Sequence, residues 1–453
     1  MPVDSAQPIT ETRPLVEWLE SGSRPESDWK IGTEHEKFGF RLDDLSPITY
    51  DGPSGIRALL EGLSERYGWE LVLEDDLPVA LLRGGCSITL EPGCQVELSG
   101  ELLDNLHQTC DEVNAHLAEV RSVAEPLGLG FIGLGFHPTA SREAISWVPK
   151  ARYRIMREYM PRVGNLGLDM MTRTCTVQVN LDFSDESDMV AKFRASLALQ
   201  PVATALFANS PFVEGRPSDF LSYRSHVWTD TDPDRTGQLP FVFESGFGFE
   251  RYAEWMLDVP MYFVRRNGRF IDAAGQSFRD FMAGRLPALP GAYPVLADWE
   301  DHLTTAFPEV RLKRFLEMRG ADGGPWKRLC ALPAFWVGLL YDPANLDACI
   351  QLTRGWTTGE RAQLRADVAR RGLEARIRNR TVRELALELV ELAHGGLARR
   401  HRLNSSGDDE TGFLQVLEQI ARRAETPAEV KLRRFREEWG GRLGPLFREN
   451  AYY

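Results

Sequence analysis

Residues 29–41 read as a strand, and the alternation of a strand puts Glu34 and Glu36, in Ile31-Gly-Thr-Glu-His-Glu-Lys-Phe-Gly-Phe40, on one face. Three later segments carry the same two-residue period. In Ser87-Ile-Thr-Leu-Glu-Pro-Gly-Cys-Gln-Val-Glu-Leu-Ser99 the Pro92-Gly93 pair signals a tight hairpin flanked by Glu91 and Glu97. In residues 175–183, Val177, Val179 and Leu181 take one face and Gln178, Asn180 and Asp182 the other. In residues 315–320, Leu316 and Met318 oppose Glu317 and Arg319. The period lengthens between Gly100 and Gly128, where Leu103, Leu106, Cys110, Val113, Leu117, Val120 and Ala124 recur at three- and four-residue steps and predict a long helix. Gly128-Leu-Gly-Phe-Ile-Gly133 has the spacing of a dinucleotide fingerprint but follows a helix, so it reads as a helix stop and the next strand. A second helix is expected over residues 188–209, bent by Pro201. Residues 239–249 and 261–271 read as strand-rich, and the Arg/Glu/Leu-rich chain from about residue 357 reads as helices.

With no linker or repeat visible, these elements predict an α+β protein. Residues 1–28 form a partly ordered lead-in, and residues 29–453 form one integrated catalytic domain with a helix-rich C-terminal part. The 453 residues suffice for a large core. A formal charge of -13 argues against nucleic acid as a partner but leaves room for small anions, which need only local positive charge. The N-terminus carries no apolar signal core and no stretch approaches a membrane span, so the expectation is a soluble, cytoplasmic protein. The cysteines Cys86, Cys94, Cys110, Cys175, Cys330 and Cys349 show no zinc spacing.

Each polar strand face alone reads as the wet side of a half-buried strand. Two carboxylates about 7 Å apart repel by roughly 2.4 kcal/mol at an effective dielectric of ~20, but by only about 0.6 kcal/mol in water. Burial therefore decides whether the pair needs a cation. If the strands are neighbours, Glu34, Glu36, Glu91, Glu97 and Glu317, with Gln178 and Asn180, form an oxygen-only donor set suited to Mg²⁺, with Mn²⁺ as the alternative. Such a set can bind a nucleotide triphosphate without a phosphate loop, and no GxxxxGK[ST] occurs in the chain. Asp230-Thr-Asp-Pro-Asp-Arg-Thr-Gly237 has the look of a calcium loop, but its Gly is misplaced and Phe241 stands where the last ligand belongs, so it reads as a polar loop bordering the site.

The segments 31–40, Leu106-His-Gln-Thr-Cys110, Leu168-Asp-Met-Met171, Arg173-Thr-Cys-Thr-Val-Gln-Val-Asn180, Leu197-Ala-Leu-Gln-Pro201, Arg224-Ser-His226 and 315–326 closely resemble glutamate-cysteine ligase of the plant and proteobacterial type, over residues 28–453. The resemblance implies a glutamine-synthetase-like antiparallel sheet cupped by helices. It also implies an ADP-forming ligase that joins the γ-carboxylate of L-glutamate to the amine of L-cysteine through a γ-glutamyl phosphate, the first step of glutathione synthesis. ATP is the co-substrate and Mg²⁺ the metal. Alternatives within this reading are a glutamate ligase for a different amine and a non-catalytic nucleotide- or metal-binding relative.

By the family's pattern Glu34, Glu36, Glu91, Glu97, Gln178 and Glu317 fall where metal ligands belong. Arg152 and Arg224 match arginines that hold substrate carboxylates, and Arg319 is expected to act catalytically on phosphate or substrate charge. Cys110 and Cys330 match a redox-responsive disulfide, with reduced core thiols as the opposing reading. Ala273 and Ala288 replace a second cysteine pair of the plant enzymes. That departure puts plant-style redox control and dimerisation in doubt, and the missing transit peptide points to a bacterial cytoplasm. The expected partners are the small molecules L-glutamate, L-cysteine and ATP, with no nucleic acid or membrane, and the expected state is a monomer or homodimer.

Overall fold

In the computed structural model, which describes residues 7–452, the polar and apolar strand faces become the two sides of one antiparallel sheet. Its strands are β1 (Ile31–Arg41), β2 (Glu70–Glu74), β3 (Leu77–Arg83), β4 (Cys86–Leu90), β5 (Val96–Ser99), β6 (Leu129–Ile132), β7 (Thr176–Leu181), β8 (Val310–Leu312) and β9 (Leu316–Asp322). They run in the order β8-β9-β7-β1-β5-β4-β3-β2, and β6 adds to the outer half of β1. The architecture is the expected α+β one, a large antiparallel sheet with helices packed against it and a helical C-terminal part.

The apolar strand residues Ile31, Val177, Val179, Leu181, Leu316 and Met318 are sealed beneath helices Leu106–Ala124, Glu186–Phe207 and Trp326–Leu340. Helix Glu186–Phe207 carries Pro201 in its interior and is buried almost all round from Met189 onward, as a helix enclosed by protein on every side must be. Gly128 ends the preceding helical segment in the left-handed conformation at φ 71°, and β6 follows, so the apparent dinucleotide fingerprint is a stop and a strand.

Three expectations fail or need sharpening. The segment 239–249 is not strand: Pro240 opens a 3₁₀ turn over Pro240–Phe243, and Phe249 begins a helix. The proline lacks a ladder donor, and the alternating Phe241, Phe243, Phe247 and Phe249 reach the core from turns instead of a pleat. The segment 261–271 is strand-rich as read, with a hairpin of Phe263–Arg266 and Arg269–Asp272. The polar loop 230–237 is partly interior, because Asp232 and Arg235 form a fully buried ion pair of 2.6 Å. Arg235 also donates to the Thr305 carbonyl (3.2 Å) and stacks 3.9 Å from the Tyr262 ring. Within residues 1–28, Arg13–Glu20 is a helix that buries Leu15, Val16 and Leu19. Among the described residues, no helix is long and apolar enough to cross a membrane.

Candidate active site

Strand register settles which polar residues meet. Glu34 on β1 pairs with Gln178 on β7 and with Ser99 on β5, and Glu36 pairs with Glu97. Glu97 in turn faces Thr89 on β4, and Glu91 follows that strand into the Pro92-Gly93 turn. On the far side, Asn180 pairs with Glu317, which pairs with Arg311. The polar face thus runs unbroken across β4, β5, β1, β7, β9 and β8.

Glu34, Glu36, Glu91, Glu97, Gln178, Arg152 and Arg319 line one cavity of roughly 330 Å³ over this face. Its acidic wall is undercompensated. Glu34 accepts from Asn180 Nδ2 (2.9 Å), Glu36 from the Thr176 backbone amide (2.9 Å), and Glu97 from Thr89 Oγ1 (2.7 Å). Burial, then Glu317 and Glu97, push Glu34 from the ordinary 4.5 to about 7. Burial, then Glu91 and Glu97, hold Glu36 well above the carboxylate range, and burial and Glu91 raise Glu97.

The opposite wall is basic. Arg311 grips Glu317 bidentately at 2.8 and 2.9 Å, Lys313 lies 3.5 Å from it, and Arg319 bridges Glu317 to Gln178, the latter at 2.7 Å. Burial alone would raise the Glu317 carboxyl, but Arg311, Lys313 and Arg319 together hold it far below its ordinary range. On the helix Ala151–Tyr159, Arg152 reaches the Tyr153 hydroxyl (3.3 Å) while its Nε has no hydrogen-bond partner among the described residues. Lys150 donates to the Leu90 carbonyl (3.0 Å), and burial brings its ammonium down to about 7.

Two expected residues stand apart from the others. Glu317 is fully buried behind its three cations instead of lining the cavity. Arg224, on the short helix Tyr223–Val227, lies behind Arg319, donating to its carbonyl (3.0 Å), and its Nε has no hydrogen-bond partner among the described residues. Sequence reading missed Arg311, Lys313 and Lys150. The first two alternate with Val310 and Leu312 just before Phe315, a pairing signal for a hairpin with β9. Lys150 follows a proline in an irregular stretch and gave no periodic signal. Thr304, Thr305, Tyr262 and Phe307 complete the walls from distant segments.

The oxygen-only acidic wall fits a hard divalent cation, since each of Glu34, Glu36 and Glu97 is hydrogen-bonded from one side while repulsion keeps its charge unfavourable. Among the described residues no three His, Cys, Asp or Glu side chains already converge on one point, so a metal would have to draw the carboxylates in. Cys110 and Cys330 are free thiols on the facing helices Leu106–Ala124 and Trp326–Leu340, close enough to hydrogen-bond to each other.

The chain is 56% identical over 450 residues to the chloroplastic glutamate-cysteine ligase of Brassica juncea, covering 99% of this chain and 86% of that one. It is 55% identical to chloroplastic glutamate-cysteine ligase B of Oryza sativa subsp. japonica, covering 99% and 89%. Its fold matches a glutamate-cysteine ligase of Francisella tularensis solved in complex with AMP, at a TM-score of 0.55 and 13% identity over 90% of this chain and 85% of that one. These plant relatives are chloroplastic by name, and that overturns the expectation of a bacterial cytoplasm. That expectation rested on an absent leader, and where a sequence begins carries no such conclusion. The sequence profile of glutamate-cysteine ligase family 2 matches residues 30–449. The chain belongs to that family.

Proposed function

We propose that this protein is an ATP-dependent ligase that joins the γ-carboxylate of glutamate to the amine of cysteine, releasing ADP and phosphate. The observation that carries the reading is the single cavity with an acidic wall (Glu34, Glu36, Glu91, Glu97) and a basic wall (Lys150, Arg152, Arg311, Lys313, Arg319), within a family-wide match. A triphosphate and two amino acids need both: oxygen ligands for its metals, and cations for phosphate and carboxylate groups. Bound Mg²⁺ would supply charge neutralisation of the triphosphate, held by Glu34, Glu36, Glu91 and Glu97.

The chain's own side chains do the positioning. The γ-carboxylate oxygen of glutamate attacks the γ-phosphorus of ATP and ADP leaves. The neutral amine of cysteine then attacks the acyl carbon, phosphate leaves with the electron pair of the broken C–O bond, and the surplus N–H proton passes to the departing phosphate or to water. Arg319, fixed from behind by Glu317 and Gln178, presents a preorganised cation to charge that builds on the transferred group. Arg152, with its unpartnered Nε, suits a substrate carboxylate. Arg224 acts through Arg319, whose carbonyl it holds. Gln178 accepts from Arg319 through Oε1, which orients the guanidinium, and the same oxygen would be its contact to a metal.

Purified protein with ATP, Mg²⁺, glutamate and cysteine should release ADP only when both amino acids are present. ADP release independent of cysteine would sink the reading, and faster turnover with 2-aminobutyrate than with cysteine would move it to another acceptor. The neighbouring thiols support a second proposal, that oxidation joins Cys110 to Cys330. Peptide mapping after oxidation should find this bridge, and finding both cysteines free would reject it.

A further inference from the structure

Away from the sheet cavity, the start of helix Trp326–Leu340 and the helix Pro427–Glu437 wall a second cavity of roughly 470 Å³. Two cations face it from opposite sides, Arg328 and Lys431, only 5% and 6% exposed. Among the described residues neither side chain has a hydrogen bond or an ion pair, and Arg328 Nη1 is wholly buried without a partner.

The acids around them, among them Glu425 on the cavity wall itself, are already engaged. Asp322 accepts from Ser210, Ser222 and the Asn209 amide, Glu425 is paired with Arg433 at 2.9 Å, and Glu449 with Arg434 at 2.6 Å. Lys327 and Arg423 stand exposed at the rim, adding positive charge without an ion pair of their own. Pro325 and Trp326 also line the cavity, and the helix they begin has no side-chain cap, so its first amides and its dipole add to the positive potential there.

Two buried like charges whose neighbouring acids, Asp322 and Glu449, are held by other partners are costly. Burial, then Arg328 itself, drive the Lys431 ammonium well below its ordinary value. A protein that needed only packing here would carry apolar side chains. We propose that this cavity binds a small phosphate-bearing dianion between Arg328 and Lys431, with Lys327 and Arg423 at its mouth. A phosphate presents enough acceptor oxygens to take hydrogen bonds from both side chains at once. The phosphate is either free orthophosphate or the head of a monoester whose body lies against Trp326 and Ile420, both of which line the same cavity.

The test follows the melting temperature of the full-length protein in chelator at constant ionic strength, with chloride replaced by inorganic phosphate or by phenyl phosphate. A saturable rise of about 3 °C over chloride is expected for the wild type. Lys431→Met should melt no lower than wild type in chloride, because it replaces a buried amine that has no hydrogen-bond partner among the described residues, and should lose at least half of the rise. Lys327→Gln with Arg423→Gln, both exposed and safe for folding, should need several-fold more phosphate to reach it. Arg319→Gln, which takes a phosphate-attracting cation out of the sheet cavity, should keep it in full. A larger rise with phenyl phosphate identifies the monoester, and an equal one the free ion. No rise with either anion, or an unchanged rise in both the Lys431 and the rim variants, overturns the site.

Discussion

At the scale of single residues, Glu36 shows how local identity and tertiary context divide the work. Its neighbours in sequence make it an ordinary strand glutamate, while Glu97 across the ladder and Glu91 beyond make it a charge that burial opposes. Glu36→Gln is expected to cut ADP release by at least ~100-fold, as removal of one transition-state stabiliser does. Without metal it should melt no lower than wild type, since it also removes repulsion, and paired assays and melts check both. Glu34 yields a pH prediction. Its folded value is raised from 4.5 to about 7, so the folded state holds the proton more tightly than the unfolded one. The associated stability is fully present below about pH 4.5 and is lost as pH rises through 7. A metal favours the ionised form, so the rise in melting temperature on adding Mg²⁺ should grow between pH 5 and 7.5. An increment that shrinks over that range would contradict a carboxylate metal wall.

At the scale of elements, the hairpin between β4 and β5 delivers Glu91 and Glu97 to the cavity, and its tip is pinned from three sides. The Gly93 amide donates to Gln95 Oε1 (2.8 Å), the Pro92 carbonyl accepts from Val148 (2.9 Å), and Gln95 Nε2 donates to the Thr174 carbonyl (3.0 Å). A Cβ on Gly93 would lie 2.4 Å from the Thr172 backbone oxygen, so no side chain fits without moving the tip. Gly93→Ala should destabilise by about 1–3 kcal/mol and lower kcat more than that loss of folded protein explains, read from denaturant melts beside kinetics. The hairpin was readable from Pro92-Gly93 between alternating runs; the close approach of Thr172 was not, because it lies in a segment 79 positions further on. The failed strand at 239–249 teaches the converse. Alternating phenylalanines mimic a pleat, but Pro240 and the glycines that follow shape turns.

At the scale of the whole molecule, the C-terminus returns to the middle of the sheet. Leu446 and Phe447 pack with Phe38 and Phe40 of β1, Ala451 bridges to Ile132, and the Tyr452 amide donates to the Phe131 carbonyl (2.9 Å). Deleting residues 444–453 removes two fully buried apolar side chains and should cost at least ~3 kcal/mol, visible as a lower melting temperature, with loss of activity because β1 carries the acidic pair. The sequence by itself determined the strand and helix periods, the two-sided character of β1, β7 and β9, the α+β class and, through its long motifs, the family. These are local or homologous properties, written in short stretches of chain. Only the tertiary structure decided that the polar faces meet over one cavity, that Arg311 and Lys313 hold Glu317 away from it, that Arg224 stands behind Arg319, and that Arg328 and Lys431 share a second cavity. Each of those depends on burial and on charges brought together from distant segments, and electrostatic energy is set by distance and solvent exposure in space, which no window of sequence contains.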